Sequence, residues 1–134
     1  MATIIREIQV AASAEGAWDA VRDIGAVHRR LVPGLVVDVT VEQGLRHVTF
    51  ANGLVLDEMI VSVDERIRRL AYTAVNRAKH HHASMQVFPE DKGRCRLVWI
   101  TDVLPDDISD RFALMMDKAV PIIQRTLMAQ STGA

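Results

Sequence analysis

The sequence predicts an α+β domain in which a curved antiparallel sheet packs against one long helix near the C-terminus. Two observations carry this prediction. Residues 106–129 repeat apolar side chains at the three- and four-residue spacing of a single helix face. Residues 35–104 instead form short strand-like runs separated by turn residues, without a helical period. A helix of this length would extend about 36 Å, so we expect a sheet to cover its apolar face.

The N-terminal part of the chain predicts one strand and two short helices. Residues 3–12 alternate polar and apolar side chains, as a half-buried strand does. Ser13 is placed to accept hydrogen bonds from the first free amides of a helix that Gly25 ends. The apolar stripe of this helix, which we expect to pack on the sheet, contains Ala17, Trp18 and Val21. Residues 26–31 predict the second helix, before the chain turns at Pro33.

Six further strands are expected between this turn and the long helix. The clearest connection is Asn52-Gly53, because both residue types tolerate the positive φ angles of a two-residue hairpin. Gly44 and the loop 89–93 mark other reversals of the chain. The predicted strands are residues 36–43, 46–51, 54–63, 69–75, 81–88 and 94–104. With the first strand they complete a seven-stranded antiparallel sheet.

The long helix has a clear start. Asp106, Asp107 and Asp110 lie in its first turn, where the positive end of the helix dipole favours carboxylates. Pro121 removes one amide donor inside the helix and crowds the preceding turn, so we expect a bend there rather than an end. A bent helix over a curved sheet leaves a cavity between them.

Length and composition indicate one domain, which we assign to residues 1–129, followed by a frayed tail at 130–134. The 134 residues include 16 basic and 17 acidic side chains, for a net charge of −1. This balance gives no electrostatic reason for binding nucleic acid or a membrane surface. We see no signal peptide and no apolar run of spanning length. We therefore expect a soluble, cytoplasmic protein without stable membrane insertion.

The single cysteine, Cys95, lies between Arg94 and Arg96, which favour a lowered thiol pKa. No His or Asn stands beside it in a recognisable catalytic pattern, so we expect a structural role. One cysteine allows no internal disulfide, which is typical of a reducing compartment.

The order of the predicted elements resembles the helix-grip fold of the SRPBCC superfamily, which includes START lipid-transfer domains, birch-pollen-type allergens and plant abscisic-acid receptors. The stretches that carry the resemblance are IQVAASAEGAWDAVRDIGAV, Pro33-Gly34, GLVLDEMIVSVDERIRRLAYTAV and LVWITDVLP. As an ordered set they are similar to the bacterial branch of polyketide cyclase/dehydrase and lipid-transport-like proteins. The resemblance implies a curved seven-stranded sheet gripping the C-terminal helix, with an apolar cavity for lipids, hormones or polyketides.

Glu58 is the main candidate for a functional side chain. Strand alternation leaves two registers open. In the inward register, Glu58 faces the cavity together with Leu54, Leu56, Ile60 and Ser62. In the outward register the cavity-facing residues are Val55, Met59, Val61 and Val63. The resemblance favours the inward register, since Glu58 matches a pocket-facing carboxylate of the hormone receptors. There it would serve as an acid, a base or a polar anchor for a ligand hydroxyl.

Other side chains are predicted to line the same cavity. The resemblance matches Tyr72 to an aromatic pocket position and aligns His82, Ser84 and Gln86 with a polar wall. Trp99 lies on the last strand, opposite the helix; alternatively, both aromatic residues only fill core volume. The predicted ligand-binding set is Leu56, Glu58, Ile60, Tyr72, His82, Ser84, Trp99, Phe112, Met115, Met116 and Ala119.

Three histidines, His80, His81 and His82, stand together where a strand is predicted to begin. No spaced Cys or His pair supplies the further ligands of a metal site, so we predict no metal and no cofactor. His82 is open to two interpretations. It either ends a solvated loop, or it acts with Glu58 and Tyr72 as a proton-transfer group in cyclisation or dehydration.

Three hypotheses follow for the function. The first is a carrier or sensor that binds a lipid-like, aromatic or polyketide-like molecule without converting it. The second is a polyketide cyclase or dehydratase that uses Glu58, His82 and Tyr72 for proton transfer. The third is an interaction protein that forms a homodimer through an apolar outer sheet face made by Val55, Met59, Val61 and Val63.

Overall fold

The chain folds as one strand, two short helices, six strands and one long helix in the computed structural model, which describes residues 2–131. The strands are β1 (Ala2–Val10), β2 (Val36–Glu42), β3 (Leu45–Phe50), β4 (Val55–Asp64), β5 (Arg69–Ala74), β6 (His80–Pro89) and β7 (Cys95–Leu104). The helices are α1 (Ala14–Val21), α2 (Val27–Arg30) and α3 (Ser109–Ser131), with short 3-10 turns at Asp91–Gly93 and Asp106–Ile108. The predicted order of elements is confirmed.

The seven strands form one antiparallel sheet in the order β1-β7-β6-β5-β4-β3-β2. Strands β2 to β7 lie side by side because short turns join them, and β1 pairs with β7. Side chains alternate between the two faces of the sheet. The face that carries Leu56, Tyr72 and Leu97 holds the core together with α1 and α3, and we call it the inner face. The sheet curves around α3, which confirms the helix-grip architecture.

Strand β4 contains an irregularity that decides which of its side chains point inward. Its pairing with β5 shifts by one residue between Ile60 and Ser62, as at a β-bulge. Leu56 and Glu58 are buried and Ile60 is half-buried, whereas Ser62 is exposed. The predicted inward position of Ser62 is therefore wrong. Leu54 also lies outside the core, because it precedes β4 and is 38% exposed.

Helix α1 begins at the predicted cap. The Ser13 hydroxyl accepts a hydrogen bond from the Gly16 amide at 3.0 Å. The helix ends at Val21, earlier than the predicted stop at Gly25, because the segment that follows makes turn hydrogen bonds instead of helical ones. Trp18 is buried in the core, as expected for the stripe that packs α1 on the sheet.

Helix α3 begins one turn later than predicted, since Asp106–Ile108 forms a 3-10 turn. It continues through Pro121 without a break. Its fully buried stripe, with the three- and four-residue spacing of one helix face, consists of Met116, Ala119, Ile123 and Leu127. The helix includes Gln130 and Ser131, which were expected in a frayed tail. The Gln130 side-chain amide donates to the Arg30 carbonyl at 2.9 Å and so ties this end to α2. Residues 132–134 of the expected tail lie outside the described residues.

Cys95 is fully buried on the inner face of β7. Burial raises the pKa of its thiol, and Glu90 adds to this shift, while Arg94 opposes it. The flanking arginines therefore do not create a reactive thiolate. The structure supports the expected structural role.

Within residues 2–131, no helix combines the length and apolar character needed to cross a bilayer. Over the same residues, no three His, Cys, Asp or Glu side chains come together in a group suited to a metal ion.

Candidate functional site

An inner cavity of about 70 Å³ lies between the inner face of the sheet, α3 and the segment that contains α2. A volume of this size holds only a few water molecules. Its wall is mostly apolar and includes Val21, Leu31, Val48, Phe50, Leu70, Met85, Met115, Ala119 and Ile123. The wall also carries four side chains with polar atoms, Arg46, Glu58, Tyr72 and Trp99.

Glu58 points inward, as the resemblance favoured, but it has a partner. Arg46 and Glu58 are direct cross-strand neighbours on β3 and β4, and Arg46 Nε donates to Glu58 Oε1 at 2.8 Å. Both residues are buried, at 4% and 7% exposed. Arg46 also donates to the Ile24 carbonyl at 3.3 Å, and its guanidinium lies 5.0 Å from the centre of the Tyr72 ring. The Glu58 carboxylate is therefore held by the protein itself.

Tyr72 and Trp99 line the cavity as predicted, and they bind each other. Trp99 Nε1 donates to the Tyr72 hydroxyl at 3.0 Å, and both side chains are buried. Burial raises the pKa of the Tyr72 phenol well above its ordinary value, and the nearby Glu58 carboxylate raises it further. The phenol therefore stays protonated at neutral pH.

Strand β6 presents the opposite face to the one predicted. Its core-facing residues are the alternating set Ala83, Met85 and Val87. His82, Ser84 and Gln86 alternate with them and so lie on the outer face. Ser84 is buried there within the sheet, while His82 and Gln86 are half-buried. The predicted polar wall of the cavity is therefore wrong, because the apolar alternation of β6 falls on the odd-numbered residues.

His81, rather than His82, lies on the inner side. Its Nδ1 accepts a hydrogen bond from the Ala74 amide at 2.8 Å, so in the neutral ring Nε2 carries the proton. Its ring centre is 5.3 Å from that of Phe112 and 6.0 Å from that of Tyr72. Burial lowers the pKa of His81 to about 4, and the neighbouring His82 and His80 lower it as well. His81 is therefore a neutral imidazole at physiological pH.

An open cleft of about 640 Å³ adjoins the cavity where α3 begins. Leu35, Phe50 and Met115 line both spaces, so the cleft and the cavity are neighbours that meet at these side chains. The cleft's further apolar lining is Leu54, Leu56, Ile108, Phe112 and Leu114. Its charged lining consists of Arg77, Arg111 and Lys118.

The predicted helix residues divide between the two spaces. Phe112 lies in the cleft, Met115 at the junction and Ala119 in the cavity. Met116 lines neither, because it is fully buried in the core about one quarter-turn away from Met115. Ile60 packs against the core from β4 without lining the cavity.

Before the irregularity in β4, its outward register is realised on the other face of the sheet. Met59 and Val61 are 50% and 54% exposed, and Val55 is half-buried. Val63 is 41% exposed but pairs with the inner-facing Leu70 beyond the irregularity, so its predicted place on the outer face is wrong. Val55, Met59 and Val61 form the outer apolar patch on which the dimer hypothesis depends. Dimerisation stays a prediction.

Residues 1–130 match the model of the family described as polyketide cyclase / dehydrase and lipid transport. No curated protein matches the sequence.

Solved structures share the fold over nearly the whole chain. A protein from Thermobifida fusca is 27% identical, with a TM-score of 0.76 over 99% of this chain and 94% of that one. Norcoclaurine synthase from Thalictrum flavum is 20% identical, with a TM-score of 0.75 over 99% and 87%. A START superfamily protein from Mycobacterium smegmatis is 12% identical, with a TM-score of 0.74 over 98% and 97%.

Proposed function

Because this chain belongs to the polyketide cyclase / dehydrase and lipid transport family, we propose that it binds a hydrophobic small molecule between the sheet and α3. The ligand is lipid-like, aromatic or polyketide-like, and the protein carries or senses it without converting it. The observation that carries the proposal is a large, mostly apolar cleft that lies beside the inner cavity and shares Leu35, Phe50 and Met115 with it.

The cleft supplies the volume that the cavity lacks. Small-molecule sites usually measure about 300–1,000 Å³, and the cleft falls in this range while the cavity does not. Leu54 and Leu114 are 38% and 58% exposed in the cleft, so a bound apolar ligand would remove their surfaces from water. Met115 stands where the two spaces meet, and its flexible side chain allows the ligand to extend inward.

The polar groups of the cavity favour binding over catalysis. A cyclase or dehydratase of the predicted kind needs Glu58, His82 and Tyr72 around one substrate. Glu58 is paired with Arg46, and His82 lies on the outer face, so the three side chains do not meet around one substrate. The geometry therefore supports the carrier or sensor better than the enzyme. Turnover of a bound ligand by the purified protein would reverse this preference.

Native mass spectrometry of the gently purified protein tests the proposal. We expect a stoichiometric mass increase, and organic solvent should release a lipid-like or aromatic molecule that accounts for it. A protein that is empty on purification, and that shows no added mass with fatty acids, sterols or aromatic polyketides, would contradict the proposal.

A blocking variant locates the ligand. Met115→Trp places a larger side chain at the junction of cleft and cavity, and we expect it to weaken binding of the neutral fluorophore N-phenyl-1-naphthylamine by roughly tenfold, or ~1.4 kcal/mol. The matched control is Met128→Trp, on the same helix at a residue that is 47% exposed and lines neither space. Equal affinity in the two variants would place the ligand elsewhere.

A further inference from the structure

The cleft carries charge of one sign. Arg77, Arg111 and Lys118 line it, and among the described residues no Asp or Glu does. Arg111 and Lys118 lie seven positions apart on α3, with Leu114 and Met115 between them, so two cations and two apolar side chains share one side of the helix. Arg77 approaches from the β5–β6 connection, where its Nε donates to the Val55 carbonyl at 3.2 Å.

The three cations have no carboxylate partner within residues 2–131. The acidic neighbour of Lys118 on α3 is Asp117, and its carboxylate is bound to Arg6 Nε at 2.6 Å. This contact holds the pKa of Asp117 below its ordinary value, with the carboxylate directed to β1. Asp117 therefore does not neutralise the positive charge of the cleft.

The cleft combines an apolar lining with a cationic rim, which we define as Arg77, Arg111 and Lys118. This combination is complementary to one kind of molecule. We propose that the ligand is an amphipathic anion, an apolar chain or ring system with a carboxylate at one end. Its apolar part lies against Phe50, Leu56 and Met115, and its carboxylate lies at the rim between Arg77, Arg111 and Lys118. The inner cations offer no such site, because Arg46 is already paired with Glu58. This inference rests on the proposed function and adds the charge and orientation of the ligand.

A set of ten-carbon ligands tests the head group. Decanoate, 1-decanol and decyltrimethylammonium share one chain and differ in charge, and each is titrated against bound N-phenyl-1-naphthylamine near neutral pH. We expect decanoate to displace the probe and decyltrimethylammonium to displace it least. Raising the salt concentration from about 20 to about 300 mM should lower the affinity for decanoate, because salt screens exposed charges. The affinity for decanol should not change.

Matched variants locate the anion. The double variant Arg111→Gln/Lys118→Gln should bind decanoate roughly five- to tenfold more weakly, since each exposed charge pair is worth a few-fold in affinity. Its affinity for decanol should not change. Arg125→Gln is the control, because Arg125 is an exposed cation of α3 that does not line the cleft. Its decanoate affinity should equal that of the wild type.

Three results would overturn the inference. The first is equal decanoate affinity in the wild type and the double variant. The second is equal weakening by the double variant and by Arg125→Gln, which would indicate a net-charge effect without a site. The third is binding to vesicles of phosphatidylglycerol without binding of monomeric decanoate, which would assign the rim to a membrane surface. If the probe and decanol bind in any of these cases, the proposed function stands; if the probe and all three ligands fail to bind, the proposed function fails as well.

Discussion

The inner cavity and the outer cleft both contain cationic side chains, yet these side chains have opposite environments. Arg46 is 4% exposed and binds Glu58 at 2.8 Å. Arg111 and Lys118 are exposed on α3 and have no ion pair within the described range. A buried charge needs a partner to offset its desolvation, whereas water stabilises an exposed one. The inner charges therefore stabilise each other within the fold, whereas the exposed rim charges are available to bind a ligand.

The largest effect should come from breaking the inner pair on one side only. Arg46→Met leaves the buried Glu58 carboxylate without its partner, so we expect the free energy of unfolding to fall by about 3–5 kcal/mol. Urea denaturation measures the change. The rim variant Arg111→Met should change the same quantity by less than ~0.5 kcal/mol, as surface substitutions usually do.

Removing both inner charges sharpens the comparison. The double variant Arg46→Met/Glu58→Leu leaves no unpaired charge in the cavity, so it should recover most of the stability that Arg46→Met loses. A double variant as unstable as the single one would show that Arg46 acts mainly through its packing on Tyr72 and its bond to the Ile24 carbonyl.

His81 should make the inner region sensitive to acid. Its pKa falls from 6.5 to about 4 on folding, so between these values the unfolded chain binds a proton that the folded chain does not. Above pH 6.5 both states hold a neutral His81, and its titration has no effect on stability. As the pH falls from 6.5 towards 4, the proton bound by the unfolded chain lowers the free energy of unfolding by up to ~3 kcal/mol. Urea denaturation across this range checks the loss.

The variant His81→Asn separates this titration from the others in the protein. Its side-chain oxygen can accept the Ala74 amide in place of Nδ1, and it does not titrate. Its stability should therefore decline less between pH 6.5 and 4 than that of the wild type. His80→Asn, at an exposed neighbour, is the control and should retain most of the wild-type slope, because His80 is the smallest of the three causes that lower the pKa of His81. Equal slopes for the wild type and His81→Asn would contradict the assignment.

A smaller effect is expected from the aromatic pair of the cavity. Tyr72→Phe removes the hydroxyl that accepts from Trp99 Nε1 and leaves a buried donor unpaired, which should lower the free energy of unfolding by about 1–3 kcal/mol. Thermal or urea denaturation of Tyr72→Phe, Trp99→Phe and the double variant gives the coupling between the two side chains. Additive losses would show that the bond itself contributes little.

The outer apolar patch should have the smallest effect on stability and a larger one on association. If the dimer hypothesis holds, the sedimentation coefficient of the wild type rises with concentration and that of Val61→Lys does not. Val37→Lys is a matched control at a residue of similar exposure, 53% against 54%. A wild type that stays monomeric at every concentration would remove the hypothesis.

The inward direction of Glu58 was predicted through the resemblance, but the partner Arg46 was missed. A signal for it exists, because Arg46 alternates with Val48 and Phe50 and so shares their inner face. An arginine at such a position is usually read as solvent-facing. Its burial depends on β3 pairing with β4 in the register that places Arg46 opposite Glu58.

The error on β6 had a different origin. Ala83, Met85 and Val87 mark the inner face by their alternation, so the pattern itself indicated His81 as the inward histidine. The prediction instead followed the resemblance, which placed the even-numbered residues His82, Ser84 and Gln86 on the inner face. A one-residue slip moves every side chain to the other face.

By itself, the sequence determined the order and type of the elements, the long amphipathic helix, the Ser13 cap and the antiparallel sheet. These features depend on periods and turn residues that act over a few neighbouring positions. Only the tertiary structure decided the register of β4 beyond its irregularity, the pairing of Arg46 with Glu58 and the separation of a small cavity from a large cleft. It also placed Arg77 in the same cleft as Arg111 and Lys118. These features join residues far apart in the chain, and their energies depend on burial and partners that exist only once the sheet closes around α3.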